Sequence, residues 1–211
     1  MQPLIPDTCF HIFNHANGFE NVFKEAENYR FFLEKYQLHI SPIAETYAYC
    51  LMPNHFHLVV RIRKREVIEN LIRNKTSSKV LNFGRGSDNE IEKFLSKQFA
   101  NLFSSYTQSF NKVYKRMGSL FIKNFKREPI SDKNHFLNTI IYIHRNPIHH
   151  RFCKGFDEWP YSSYPRIING VESIVETDKL LKILGGTEAF INMHKNNLDR
   201  FKSLTNLDIP I

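Results

Sequence analysis

Residues 52–62 read MPNHFHLVVRI. On a strand, successive side chains point to opposite faces. Phe56, Leu58, Val60 and Ile62 therefore share one wholly apolar face, and His55 and His57 share the other. The apolar face must meet a core. The opposite face presents two imidazoles, two residues apart, on a rigid platform. Pro53-Asn54 marks a turn ahead of this strand, and residues 42–52 read as another strand, so the two should pair as a hairpin. Residues 8–14 (TCFHIFN) read as a strand, and residues 21–36 as a helix, with Val22, Phe23, Ala26, Tyr29, Phe32, Leu33 and Tyr36 at helical spacing. A β-α-β-β opening of this kind predicts an α+β sandwich, an antiparallel sheet with helices packed mainly on one face.

Downstream, residues 66–74 read as helical, and residues 75–89 (KTSSKVLNFGRGSDN) as a loop or local insertion rich in Ser, Gly and Asn. Residues 90–116 carry a long helical periodicity that Gly118 is expected to end. Residues 120–130 are a strand candidate with Lys123, Lys126 and Arg127. Ser131 and Asp132 suit a helix N-cap, and the helix they open should run to about Arg145, because Pro147 pushes the residue before it out of the α region. Beyond Tyr164 the chain turns polar, with short helices expected over 178–184 and 188–201. Two units follow: residues 1–165 as the main domain, and 166–211 as a C-terminal helical extension with no role assigned.

The 211 residues carry 29 Lys and Arg against 21 Asp and Glu, a formal net charge of +8. That surplus favours a polyanionic partner, nucleic acid above all, against the plainer reading of a merely soluble basic protein. With 42% hydrophobic residues and 19 Phe the chain can build a core. Cys9, Cys50 and Cys153 lie far apart and form no CxxC, so neither a disulfide framework nor a thiolate zinc cluster is expected. The first ten residues lack a basic segment followed by an apolar run, and no apolar stretch approaches the ~20 residues of a membrane span. A cytoplasmic protein without a membrane partner is the expectation.

Two imidazoles on one strand face can bind a divalent cation, although a lone His-x-His is a weak signal and by itself favours two ordinary histidines on an open sheet face. With oxygen ligands and positions left for a phosphate, the pair suits Mg²⁺ or Mn²⁺. Residues 138–147 (NTIIYIHRNP) lie on the helix opened by Asp132. Phe136, Ile140 and Ile143 form its apolar stripe. Tyr142 sits off that stripe, with Asn138, Thr139, Arg145 and Asn146 three and four residues away. Asn146 offers an oxygen ligand one turn beyond Tyr142, and Arg145 a clamp for a phosphate oxygen. Helical spacing alone does not single out one of nine tyrosines, and Tyr161 and Tyr164, within WPYSSY (159–164), are rivals. Trp159 reads as packing. Lys115, Arg116, Lys123, Lys126 and Arg127 are candidate contacts to a nucleic-acid backbone, weighed evenly against a solvated basic face.

Taken in order, His55-Phe56-His57 within MPNHFHLVV, Tyr142-Ile143-His144-Arg145-Asn146-Pro147 and Trp159-Pro160-Tyr161-Ser162-Ser163-Tyr164 resemble the HUH single-tyrosine transposases, in the REP-associated tyrosine transposase branch. The likeness spans about residues 5 to 165. It implies a ferredoxin-like, HUH endonuclease-like sandwich. By the resemblance, His55, His57 and Asn146 hold a divalent metal, Mg²⁺ or Mn²⁺, and Tyr142 is the nucleophile. Related insertion-sequence enzymes carry Gln where Asn146 stands, in keeping with an amide oxygen as ligand. The implied activity is a transposase or nickase that cleaves and rejoins single-stranded, hairpin-bearing DNA through a 5′-phosphotyrosine, without ATP. Some relatives are homodimers in which the counterpart of Tyr142 serves the partner's site, and others act as monomers; both arrangements stay open. The segment Lys75 to Asn89 looks longer than the family core, and Pro165 to Ile211 carries no family motif. Two alternatives remain: a DNA-binding protein that keeps the fold but no longer cuts repeat hairpins, and a phosphohydrolase that uses water and has no need of Tyr142.

Overall fold

The computed structural model describes residues 2–75 and 87–196. Its strands are β1 (Cys9–His15), β2 (Ala44–Leu51), β3 (His55–Ile62) and β4 (Lys126–Pro129). Its helices are α1 (Ala26–His39), α2 (Arg65–Lys75), α3 (Asp88–Val113), α4 (Lys133–His149), α5 (Ser163–Ile168), α6 (Thr177–Leu184) and α7 (Thr187–Asn196). The strands form one antiparallel sheet in the order β2-β3-β1-β4. This is the α+β architecture expected, an antiparallel sheet with packed helices. β2 and β3 form the expected hairpin around Pro53-Asn54.

Strand alternation sets both faces. Phe10, Ile12, Phe56, Leu58, Val60 and Ile62 are fully buried on the face covered by α1 and α3. There the Phe32 ring of α1 meets Phe23, Phe56, Tyr106 and Phe121 at centroid distances of 5.2 to 6.4 Å. On this face the hydroxyls of Tyr36 (α1) and Thr46 (β2) lie 2.7 Å apart and are buried. The opposite face is covered by α4: Phe136 packs edge-on against Tyr47, and Tyr142 against His57. β3 is consequently buried along both faces, with Arg61 alone partly exposed.

Several boundaries differ from the sequence reading, each for a local reason. α1 opens at Ala26 rather than Asn21, because the Asn28 side chain accepts from the Lys24 and Glu25 amides and sets the first turn there. α3 opens at Asp88, capped by Ser87, whose hydroxyl accepts from the Glu90 amide. Asp88 and Asn89 are thus helical, while residues 76–86 of the expected loop lie outside the described residues. α3 ends at Val113, not Arg116: Lys115 takes a left-handed φ of 50°, three residues before Gly118. Of residues 120–130 only Lys126–Pro129 form strand, on β1, with Phe121 bridging Ala16 singly.

α4 does not stop at Arg145. It runs through Pro147 to His149. A proline so near the end removes one intrahelical bond. The turn still closes around it, as His150 N–H donates to the Asn146 carbonyl and Phe152 N–H to that of Pro147. Burial of Asn146 and Pro147 overrides the local preference of the residue before proline. In the extension, α6 and α7 match the two short helices, residues 197–201 lying outside the described residues; α5, capped by Ser162 and crossing the expected boundary between residues 165 and 166, is an additional helix. Among the described residues no helix is long and apolar enough to cross a membrane, and the three cysteines form no disulfide.

Tyr36→Phe should lower stability by about 1–2 kcal/mol by stranding the buried Thr46 hydroxyl. Adding Thr46→Val should then cost less than it does alone. Urea midpoints of the two single variants and the double variant check this; strictly additive losses would contradict the coupling.

Candidate active site

The face under α4 is a polar seam. Antiparallel pairing places His11, Phe13 and His15 of β1 on the face that carries His55 and His57, with Phe13 opposite His57 and His15 opposite His55. Cys50 of β2 flanks His57 on its other side, and Lys126 of β4 lies opposite Phe13. The row Cys50, His57, Phe13, Lys126 therefore crosses the whole sheet and ends in an exposed lysine.

α4 lowers its own polar stripe onto these residues. Asn146, 3% exposed, brings its Oδ1 to 3.0 Å from His55 Nε2. The Tyr142 ring stands edge-on to His57 at 5.5 Å and to His11 at 6.0 Å between centroids. The structure thus gathers His55, His57, Tyr142 and Asn146 in one place. The rival tyrosines lie elsewhere. Tyr161 stacks on Tyr29 at 3.5 Å, and Tyr164 is buried among Phe156, Phe190 and His194. Trp159 donates from Nε1 to the Leu51 carbonyl and packs the sheet edge.

Each histidine of the pair is held by its Nδ1. His55 Nδ1 lies 2.8 Å from Asn54 Oδ1, and His57 Nδ1 lies 3.0 Å from His11 Nε2. Donation from His55 Nδ1 to the Asn54 carbonyl oxygen leaves a lone pair on Nε2. That lone pair faces Asn146 Oδ1, also an acceptor, because the Asn146 amide nitrogen points at the Tyr142 carbonyl, 3.5 Å away. Two acceptors 3.0 Å apart call for a proton or a cation beside them. A separation of 3.0 Å is that of an N–H···O hydrogen bond, and with no proton between them the two atoms form a donor pair for a cation. Among the described residues no group of three or more His, Cys, Asp and Glu side chains forms a metal site; the oxygen beside the two imidazoles is the Asn146 amide.

Burial governs the protonation of the seam. It pushes His11 down to about 3, with His135 adding to the effect. It also pushes His57 well below the ordinary imidazole range, reinforced by His11, His55, His150 and His15. Both are neutral at pH 7, the form that ligates metals. His15 stacks on His55 at 5.6 Å, and His150 stands edge-on to it at 5.2 Å.

The six residues expected to meet DNA are placed differently. Lys115, Lys123 and Lys126 are exposed. Arg116 pairs with Glu20 and donates to the Gly118 and Ser119 carbonyls. Arg127, pointing to the α3 face, pairs with Glu92 at 3.0 Å and donates to Ser96. Arg145 is half-buried on α4, three residues beyond Tyr142. Sequence reading missed His11, His15 and Asn54. His11 and His15 lie four apart on one strand, hence on one face, but that parity acquires meaning only once β1 pairs with β3.

No family model matches the chain. A protein of Haemophilus influenzae described as "Putative REP-associated tyrosine transposase" is 24% identical over 165 residues, which is 75% of this chain and 74% of the relative. Among solved structures, a REP-associated tyrosine transposase bound to a REP hairpin superposes with a TM-score of 0.57 at 15% identity, over 82% of this chain and 87% of that one. In sequence and in fold, the chain resembles the REP-associated tyrosine transposases, as its HUH and YIHRNP motifs led one to expect.

Proposed function

We propose that this chain is a metal-dependent transposase-type enzyme that cleaves and rejoins single-stranded, hairpin-bearing DNA, with Tyr142 as nucleophile. The convergence of His55 Nε2 and Asn146 Oδ1 at 3.0 Å, beside His57 and Tyr142, carries this reading. The similar protein solved with a REP hairpin and the +8 charge support the substrate class.

His55, His57 and Asn146 would hold Mg²⁺ or Mn²⁺, which supplies charge to offset that developing on the scissile phosphate. The chain's own residues do the rest. Asn54 Oδ1, an acceptor, fixes the His55 tautomer that presents Nε2, and His57 would present its own Nε2 by donating from Nδ1 to His11. Tyr142 supplies the attacking oxygen: its bond to phosphorus forms, the phosphorus–O3′ bond breaks, the phenol proton leaves and the 3′-oxygen gains one. The 5′-phosphotyrosine keeps a phosphodiester, so the reverse attack by a 3′-hydroxyl rejoins strands without ATP. Arg145 is assigned to a phosphate oxygen. With Arg116 and Arg127 held in ion pairs, backbone contacts fall first to Lys115, Lys123 and Lys126.

Labelled hairpin DNA with single-stranded flanks, incubated with Mn²⁺ or Mg²⁺, should yield a covalent protein–DNA adduct on a denaturing gel. Tyr142→Phe should abolish it, a loss of at least about 10³-fold. Cleavage without an adduct would identify a hydrolase, and binding without cleavage a protein that has lost its chemistry. His11→Phe should weaken Mn²⁺ binding by about 10–100-fold, read by titration with spin-resonance detection; unchanged affinity would remove His11 from the site.

The buried imidazoles also set an acid limit. Burial holds His11 near about 3 and His194 near about 4, and His57 and His144 well below their usual range. The unfolded chain takes up protons near ~6.5, which the fold refuses until much lower pH. Stability present above ~6.5 is therefore lost as pH falls, at up to about 1.4 kcal/mol per pH unit for each such group. The urea midpoint should drop clearly from pH 7.5 to pH 5, and less so in His11→Phe; a flat profile would contradict the buried-neutral assignment.

A further inference from the structure

Behind Tyr142, on the far side of α4, a second histidine network joins four elements. His144 is 1% exposed and His194 of α7 is 0% exposed. His194 Nδ1 lies 2.8 Å from the Phe190 carbonyl oxygen, His194 Nε2 lies 2.9 Å from His144 Nδ1, and His144 Nε2 lies 2.7 Å from Ser163 Oγ of α5. Ser163 Oγ in turn accepts from the Tyr49 amide of β2 at 2.9 Å. The direction of the chain starts from one fact: the Phe190 carbonyl only accepts. His194 Nδ1 must carry its proton, which leaves Nε2 as an acceptor in the neutral ring. His144 Nδ1 then donates to it and His144 Nε2 accepts; the single Ser163 proton has two acceptors in reach, His144 Nε2 at 2.7 Å and the Tyr49 carbonyl oxygen at 3.2 Å, and the shorter contact takes it. Both rings have every nitrogen satisfied, as burial demands.

We propose that His194 is a positioning residue for Tyr142: through His144 it locks the rotation of α4 about its axis, so that Tyr142 and Asn146 face His57 and His55. The proposal rests on the assignment of Tyr142 as nucleophile. It gives the C-terminal extension a task, since α7 supplies the latch. It also accounts for the joint presence of YIHRNP and WPYSSY, because His144 of one bonds Ser163 of the other. α4 meets polar groups on two sides, Asn146 on His55 and His144 on His194 and Ser163, so neither side can turn without separating buried polar partners. A misplacement near 1 Å of a reacting group costs about 100-fold in rate.

The test compares His194→Leu, which keeps apolar packing against Phe156, Tyr164 and Phe190, with His194→Gln, whose amide oxygen can accept from His144. In single-turnover adduct formation on hairpin DNA, His194→Leu should be about 10–100-fold slower with hairpin affinity unchanged, and His194→Gln should recover most of the rate. A second readout needs neither DNA nor metal. With fluorotyrosine at position 142, the ¹⁹F resonance should move or broaden in His194→Leu and return in His194→Gln, because it senses the His11 and His57 rings. Equal rates and resonances in all three proteins, equal impairment of both variants, or a rate loss matched by lost hairpin binding would overturn the latch. If the wild type forms no adduct but the resonance behaves as described, the latch stands and the assigned reaction fails.

Discussion

The structure depends on burying one polar stripe of a helix against one polar face of a sheet. Polar groups removed from water are costly unless each finds a partner, so such a seam admits few registers. Here the geometry of the two elements makes one register natural. Residues two apart on a strand are separated by about 6.7 Å, and residues four apart on a helix by about 6 Å along its axis. With α4 running against the direction of β3, Asn146 meets His55 while Tyr142 meets His57. The near-match of the two repeats places an amide oxygen and a hydroxyl-bearing ring over two imidazoles at once.

That arrangement was only partly legible in the amino-acid order. The period-two alternation of β3 marked the apolar face and the histidine face correctly, because alternation is a purely local property. Asp132 likewise opens α4 as a capping residue should, its carboxylate accepting from the His135 amide at 2.9 Å. The polar stripe of α4 was legible as a stripe. Its destination was not, since a polar helix face ordinarily meets water, and only the unmatched donors and acceptors of the sheet call it inward. Pro147 shows the same limit from the other side. Its local effect is to end a helix, and burial of the surrounding turn outweighed that effect.

The unread part of the site consists of partners remote in sequence. His11 bonds His57 across 46 residues and His194 bonds His144 across 50. Neither spacing leaves a periodic trace. The basic residues behaved similarly: Arg116 and Arg127 look the same in sequence as Lys123 and Lys126, but ion pairs with Glu20 and Glu92 commit them to holding a loop and an edge strand. Charge counting sees a basic surface, whereas pairing decides which cations remain to face a polyanion.

Electrostatics sharpens the proposed chemistry. The groups that act on His57 besides burial are imidazoles, with no carboxylate among them. Two neutral imidazoles and a neutral amide would leave the full charge of a divalent cation uncompensated in a largely buried seam. Such a site binds its cation less strongly than one rich in carboxylates, which supply opposing charge. It gains more from an incoming phosphate, because each anionic oxygen offsets charge that the protein leaves open. Cation and DNA would then bind with mutual reinforcement, and linkage makes that coupling equal in both directions. On the proposed function, a seam of this composition would favour cation binding where a phosphodiester is already present, and would confine the reactive state to the substrate-bound protein.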